Sequence, residues 1–217
     1  MIFQKIELQC TVYRPEDLPE ETFPRVLVAG RSNCGKSMLL NRIAGRRGLA
    51  RVSRTPGRTQ GVRFFRVDDA FDLVDTPGYG FAKVNRESAA LNSILLQRLL
   101  KKLHPAVALL LLDVRRECGE EEREIFAGLK KTSGRVYLLL TKCDKVSRHE
   151  IHTTIDRIAA LLHFPPEDIL PVSATGGAGI QAVLKIIKQG VTHERETPET
   201  PSVSSEKTPP QTGSSAP

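Results

Sequence analysis

The run from Arg25 to Ser37 constrains the fold of this chain more than any other. Val26, Leu27, Val28 and Ala29 form a short apolar stretch ending at Gly30. The spacing Gly-x-x-x-x-Gly-Lys-Ser then follows unbroken through Arg31, Ser32, Asn33, Cys34, Gly35, Lys36 and Ser37, and Met38 to Ile43 reads as the start of a helix. A strand, a phosphate-binding loop and a helix are expected in that order. Gly30 and Gly35 let backbone amides and a helix N-terminus face a polyphosphate where a side chain would block it. Lys36 supplies a point charge to the outer phosphates, and the Ser37 hydroxyl is an oxygen ligand of the kind Mg²⁺ prefers.

A second motif repeats the logic at another strand end. Gly61 to Val67 and Ala70 to Asp75 are strand-like runs around Asp68 and Asp69, a hairpin by pattern, and the second run ends in Asp75, Thr76, Pro77 and Gly78. An aspartate there can hold Mg²⁺ through water, and Gly78 can offer its amide to a terminal phosphate. Farther on, Arg135 to Thr141 is a buried-strand pattern followed by Lys142, Cys143 and Asp144. A carboxylate at Asp144 can accept from both N1–H and the exocyclic amine of guanine, a donor pair that adenine lacks. Lys142 can lay its stem over the base, Thr141 can tie this loop to the phosphate loop, and a backbone amide from Val172, Ser173 or Ala174 can reach guanine O6. Asp144 as a plain helix cap is the alternative.

The remaining pattern alternates strands and helices. Ala106 to Asp113 is an apolar run of buried-strand length, Ile169 to Ser173 a last strand, and helices are expected over Ser88–Leu103, Gly119–Lys131, Arg148–Leu162 and Ile180–Gln189. In the first of these helices Leu91, Ile94, Leu95, Leu99 and Leu103 are expected on one face. The fold class is therefore α/β, a three-layer, doubly wound and mostly parallel sheet flanked by helices, with ligands at the carboxyl ends of its strands. Residues 1–22 read as an N-terminal extension, an edge segment followed by an acidic connector. A nucleotide-binding domain spans 23–190, and 191–217, rich in Thr, Pro, Ser, Glu and Gln from about His193, reads as a disordered tail.

Charge and cysteine usage narrow the partners. From Arg31 to Val67 there is no Asp or Glu, whereas Arg31, Lys36, Arg42, Arg46, Arg47, Arg51, Arg54, Arg58, Arg63 and Arg66 are cationic, and the whole chain carries a formal charge of +7. Contact with RNA phosphates is expected, against the alternative of a solvated face with a few residues serving the bound nucleotide's own phosphates. The four cysteines, Cys10, Cys34, Cys118 and Cys143, have no C-x-x-C pairing, which indicates neither a zinc site nor a disulfide framework. Cys34 beside a helix N-terminus is either an ordinary small buried residue or a thiol of lowered pKa. His149 and His152 at i and i+3 form a metal face only if a third ligand converges, and a solvated helix start is favoured. No apolar run reaches the length of about 18 residues needed to span a bilayer, and the start lacks a signal-peptide core, so a cytoplasmic protein with no membrane partner is expected.

Taken together, these motifs resemble those of translation-factor-type small GTPases of the TrmE/Era/EngA-like group, and within it the EngB family of bacterial ribosome-assembly GTPases. The resemblance rests on Gly30 to Ser37, on Thr55, Pro56, Gly57, Arg58, Thr59 and Gln60, on Asp75 to Phe81 with its Tyr79-Gly80, on Thr141 to Asp144, and on Val172 to Ala174. It implies GTP and GDP as ligands, held also by Gly57, Arg58, Thr59, Gln60 and Gly61. It further implies Mg²⁺ ligated by Ser37, Thr59 and Asp75, with Thr59 as the switch threonine. Assembly of the large ribosomal subunit, with its rRNA and proteins as partners, a requirement for normal division, and a monomeric state are also implied.

The residues placed in catalysis are Lys36, Thr59, Gly78 and Asn33. Tyr79 stands where Ras-like enzymes carry the glutamine that orients water, so slow intrinsic hydrolysis is expected. Either K⁺ bound beside Asn33 or a ribosomal group then supplies the missing assistance, unless Asn33 only hydrogen-bonds its own loop. Two rivals remain, a GTP-binding ribosome-associated module with negligible turnover and a P-loop kinase acting on a metabolite.

Overall fold

The computed structural model describes residues 3–45, 49, 61–80, 94 and 96–196. Seven strands form one sheet: β1 (Ile6–Val12), β2 (Arg25–Gly30), β3 (Val62–Val67), β4 (Phe71–Asp75), β5 (Val107–Asp113), β6 (Arg135–Thr141) and β7 (Ile169–Val172), in the spatial order β1-β3-β4-β2-β5-β6-β7. The pairs β4/β2, β2/β5, β5/β6 and β6/β7 are parallel, whereas β1/β3 and β3/β4 are antiparallel. The expected α/β architecture is present. The edge segment of the N-terminus is a strand of this sheet, with Ile6 opposite Val67 and Val12 opposite Val62.

Burial on both faces follows from the side-chain alternation of the central strands. Val26 and Val28 of β2 and Val107, Leu109 and Leu111 of β5 pack with Leu39, Leu40 and Ile43 of α1 (Lys36–Ile43) and with Val183, Leu184, Ile187 and Val191 of α4 (Ile180–Glu196). Their neighbours Leu27, Ala29, Ala108, Leu110 and Leu112 face the other way. They meet Ile125, Phe126 and Leu129 of α2 (Glu120–Thr132), Ile158 of α3 (Arg148–Leu162), and Leu96, Leu99, Leu100 and Leu103. Every residue of β5 is buried, as a strand covered on both sides requires.

Two expectations from periodicity need correcting. In the helical turns at 96–100 the buried residues are Leu96, Leu99 and Leu100, while Ile94 is 45% exposed; Leu91 and Leu95 lie outside the described residues. The last helix continues past Gln189 to Glu196, because Val191 extends the i, i+4 series of Val183 and Ile187 and is buried against the sheet. The expected start of the tail at 191 is therefore too early, and 197–217 lie outside the described residues. Among the described residues no helix is long and apolar enough to cross a membrane.

Candidate functional site

The neighbours of β2 are β4 on one side and β5 on the other, so successive connections leave its carboxyl end in opposite directions and open a crevice there. The segment from Gly30 to Ser37 lies at that end. Gly35 has φ 102°, a left-handed conformation that turns the chain into the first turn of α1, and Lys36 and Ser37 open the helix. This is a strand, a turn and a helix N-terminus in the arrangement that receives an anion.

The other predicted segments converge on that loop. Asp75 ends β4, and Thr76 is held to β2 by its N–H and its hydroxyl, both donating to Val28 O, at 3.2 and 3.0 Å. Pro77 is buried, and Gly78 lies so near the loop that a Cβ on it would stand 2.9 Å from Ser32 Cα. Ser32 N–H then donates to Tyr79 O at 2.8 Å, and Arg31 bridges to Tyr79 as a short parallel ladder. Lys36, 9% exposed, donates to Asp75, which also accepts from Arg63. A half-buried serine hydroxyl and a buried carboxylate at neighbouring strand ends are hard oxygen donors suited to Mg²⁺, and any phosphate or metal entering here competes for the partners of Asp75.

The third loop is bonded directly to the first. Thr141 Oγ1 donates to Cys34 O at 2.6 Å and lies 3.1 Å from Leu112 O, and Lys142 Nζ donates to Asn33 O at 2.6 Å. The tie expected of Thr141 is therefore present, and Lys142 adds a second. Cys143 is buried in a 3-10 turn (Cys143–Lys145), and Asp144 in that turn accepts a 2.6 Å hydrogen bond from Ser173 Oγ. Ser173 Oγ in turn accepts from Gly176 N–H at 2.8 Å, fixing the hydroxyl between the two loops. The hydrogen bond from Ser173 holds the Asp144 carboxyl below the usual carboxylate range, with Lys145 adding to it. Val172 is buried at the end of β7 and Ala174 follows half-buried. Asp144 is no helix cap, since Ser147 caps α3 by accepting from Glu150 N–H.

Some expected residues fall elsewhere. Gly57, Arg58, Thr59 and Gln60 lie outside the described residues, as do Arg46, Arg47, Arg51 and Arg54 of the basic run. Gly61 is packed against the end of β1, where a Cβ would lie 2.6 Å from Val12 O. Four described cations of that run meet acids from other segments: Arg31 with Glu122, Lys36 and Arg63 with Asp75, and Arg66 with Asp72. Their charge is partly spoken for within the fold.

Cys34 is buried, and that burial pushes its thiol up, so the reading of it as a small interior residue replaces the activated thiol. His152 Nδ1 lies 2.8 Å from Arg148 O, and no cluster of three metal-ligating side chains occurs among the described residues. Tyr79 is fully buried, its phenol pushed far above its ordinary range by that burial, with no hydrogen-bond partner for its hydroxyl among the described residues.

Sequence reasoning missed Arg63, the hydroxyl of Ser173 as a partner of Asp144, and Asp113. Asp113 had a readable signal, an acid closing a buried parallel strand at its carboxyl end, as Asp75 does.

Comparisons with known proteins agree with this geometry. The family model described as 50S ribosome-binding GTPase matches residues 25–142. A probable GTP-binding protein EngB of Geobacter sp. (strain M21) is 37% identical over 214 residues, covering 97% of this chain and 98% of the relative. Another protein of that name, from Caldanaerobacter subterraneus subsp. tengcongensis, is 34% identical over 192 residues, covering 87% and 98%. Among solved structures, a probable GTP-binding protein engB has the same fold, with TM-score 0.63 at 22% identity, covering 78% of this chain and 99% of the other. An Aquifex aeolicus Era bound to GDP and aluminium fluoride aligns with TM-score 0.58 at 25% identity, covering 82% and 57%.

Proposed function

Because this chain belongs to the EngB family of GTP-binding proteins, we propose that it is a molecular switch that hydrolyses GTP and acts in assembly of the large ribosomal subunit, as normal cell division requires. Proteins of this GTPase family bind GTP and GDP, normally with Mg²⁺. The observation that carries the reading here is the bonding of the loop at Thr141–Asp144 onto the loop at Gly30–Ser37, which supports a single frame for one ligand's base and phosphates.

In this reading the amides from Asn33 to Ser37 and the α1 N-terminus receive the phosphates, with Arg31, Ser32 and Cys34 shaping the loop. Lys36 leaves Asp75 to meet the outer phosphates. Ser37, Asp75 and Thr59 would hold Mg²⁺, which would supply charge neutralisation to the terminal phosphates. Thr76 and Pro77 set the approach of Gly78 to the terminal phosphate, and Gly57, Arg58, Gln60 and Gly61 complete the switch segment around Thr59. Asp144 takes guanine, Lys142 covers the base, Cys143 fills the turn behind it, and the Val172–Ala174 segment closes on O6. GDP binding with ADP binding absent, measured by calorimetry, tests the assignment; equal binding of the two would overturn it and favour a kinase-like site.

Tyr79 buried in the core leaves no side chain there to orient water, which supports slow intrinsic hydrolysis. It also favours the second reading, a GTP-binding module with negligible turnover. Single-turnover hydrolysis with and without large-subunit particles separates the two, and rates in KCl against NaCl decide whether K⁺ beside Asn33 contributes. A cytoplasmic, monomeric protein with rRNA and ribosomal proteins as partners belongs to the same proposal.

A further inference from the structure

Asp113 sits at the carboxyl end of β5, 6% exposed, level with Thr141 in the parallel ladder to β6. Its carboxylate is 2.9 Å from Lys142 Nζ, and the same ammonium reaches Asn33 O at 2.6 Å. Arg115 clasps the carboxylate from outside, with Nε at 2.9 Å from Oδ1, Nη2 at 2.8 Å from Oδ2, and its own backbone N–H at 3.1 Å from Oδ1. Burial alone would raise this carboxyl, but the hydrogen bonds from Arg115 and Lys142 overcome it and hold Asp113 well below the usual carboxylate range.

Lysine is a strongly hydrated point charge on a flexible stem, so an unrestrained Lys142 would sample many rotamers in water. Here its backbone takes φ 60° on leaving β6, and its Cε lies 4.0 Å from where a Cβ on Gly35 would be. The stem is thereby laid along the phosphate loop with its end fixed between two acceptors from different strand ends.

We propose that Asp113 is a positioning residue for guanine recognition, anchoring the Lys142 ammonium against the Asn33 carbonyl so that the lysine stem is a preset platform for the base. The inference rests on the assignment of Lys142 and Asp144 to the base. Asp113 touches neither base nor phosphate. It acts through Lys142, and Arg115 acts through Asp113 by keeping it ionised and aimed. Pre-setting the stem removes an ordering cost from the binding step, which gives affinity to the base half of the ligand only.

The test compares the unsubstituted full chain, Asp113→Asn, Lys142→Met and the double variant for binding of GDP and of inorganic tripolyphosphate, both with Mg²⁺, by calorimetry. The expected result is GDP affinity about tenfold weaker in Asp113→Asn, tripolyphosphate affinity unchanged, and a double variant no weaker than Lys142→Met alone. An unchanged GDP affinity, an equal loss for both ligands, or a loss that adds fully to that of Lys142→Met would each overturn the proposal. Asp113→Ser, judged by the same outcomes, replaces the asparagine variant if that one does not fold. If the unsubstituted chain itself does not bind GDP, the functional reading falls first and this inference falls with it.

Discussion

Ser173 illustrates how much of the site turns on a single hydroxyl. Its bond to Asp144 favours the ionised carboxylate, the form that the proposed guanine recognition would need as a double acceptor. A carboxylate whose folded pKa is depressed keeps its charge as the pH falls past its unfolded value, and its contribution is lost only on passing through the lower, folded pKa. The contribution of Asp144 to GDP affinity is therefore expected to be constant from neutral pH to about pH 5, with the titration of the ligand's own terminal phosphate common to the unsubstituted chain and the variant. In Ser173→Ala the acid limb of the affinity profile should move to higher pH, read by calorimetry across a pH series; an unmoved limb would show that the hydroxyl does not tune Asp144. The sequence made Asp144 legible because a carboxylate after a buried strand has a spacing signature. It did not reveal Ser173 as a partner, since the two lie 29 residues apart and meet only when β6 and β7 pair. Arg63 was hidden for the same reason: its pairing with Asp75 is cross-strand, and in the sequence it is one more cation in a basic run.

Elements were easier to read than their ends. The bounds of α3 and β6 match expectation because each has an internal stop signal: the capping box of Ser147 and Glu150 before α3, and the polar turn after β6. The end of α4 did not, because polar residues after Gln189 conceal the buried Val191. Two glycines in helices make the packing testable. A Cβ on Gly190 of α4 would come within 2.0 Å of Val107 Cγ2, so Gly190→Ala should lower stability by about 1–3 kcal/mol despite the better helix propensity of alanine. On Gly128 of α2 the nearest atom, Leu100 Cδ1, would be 3.6 Å away, an ordinary contact, and Gly128→Ala should raise stability by about 0.4–1 kcal/mol. Thermal unfolding reads both. A gain in stability for Gly190→Ala would refute the packing of α4 described above.

For the whole molecule, one sheet carries the four strand ends assigned above to the proposed ligand, and the hydrophobic layers on its two faces fix their relative height. A ligand that bridges those ends should stabilise the fold as a unit. GDP at a hundred times its dissociation constant is expected to add about 2.7 kcal/mol, seen as a rise in melting temperature that ADP at the same concentration does not give. Thr141→Val, which removes the bond to Cys34 O from the middle of this frame, should cost about 1–3 kcal/mol of stability and weaken GDP binding as well. The doubly wound order was legible from the alternation of buried runs and amphipathic stretches. The close seating of Gly78 and Tyr79 against Ser32 was not, because no local pattern encodes the approach of two turns.

Three of the bonds that hold the Gly30–Ser37 loop from outside end on its main chain: Thr141 on the carbonyl of Cys34, Lys142 on that of Asn33, and Tyr79 on the amide of Ser32. Swapping the side chains of those three loop residues leaves such moorings in place. The instructions for the loop's shape are thus written in distant parts of the chain, and a mutational survey confined to the motif itself would overlook the positions that hold it in register.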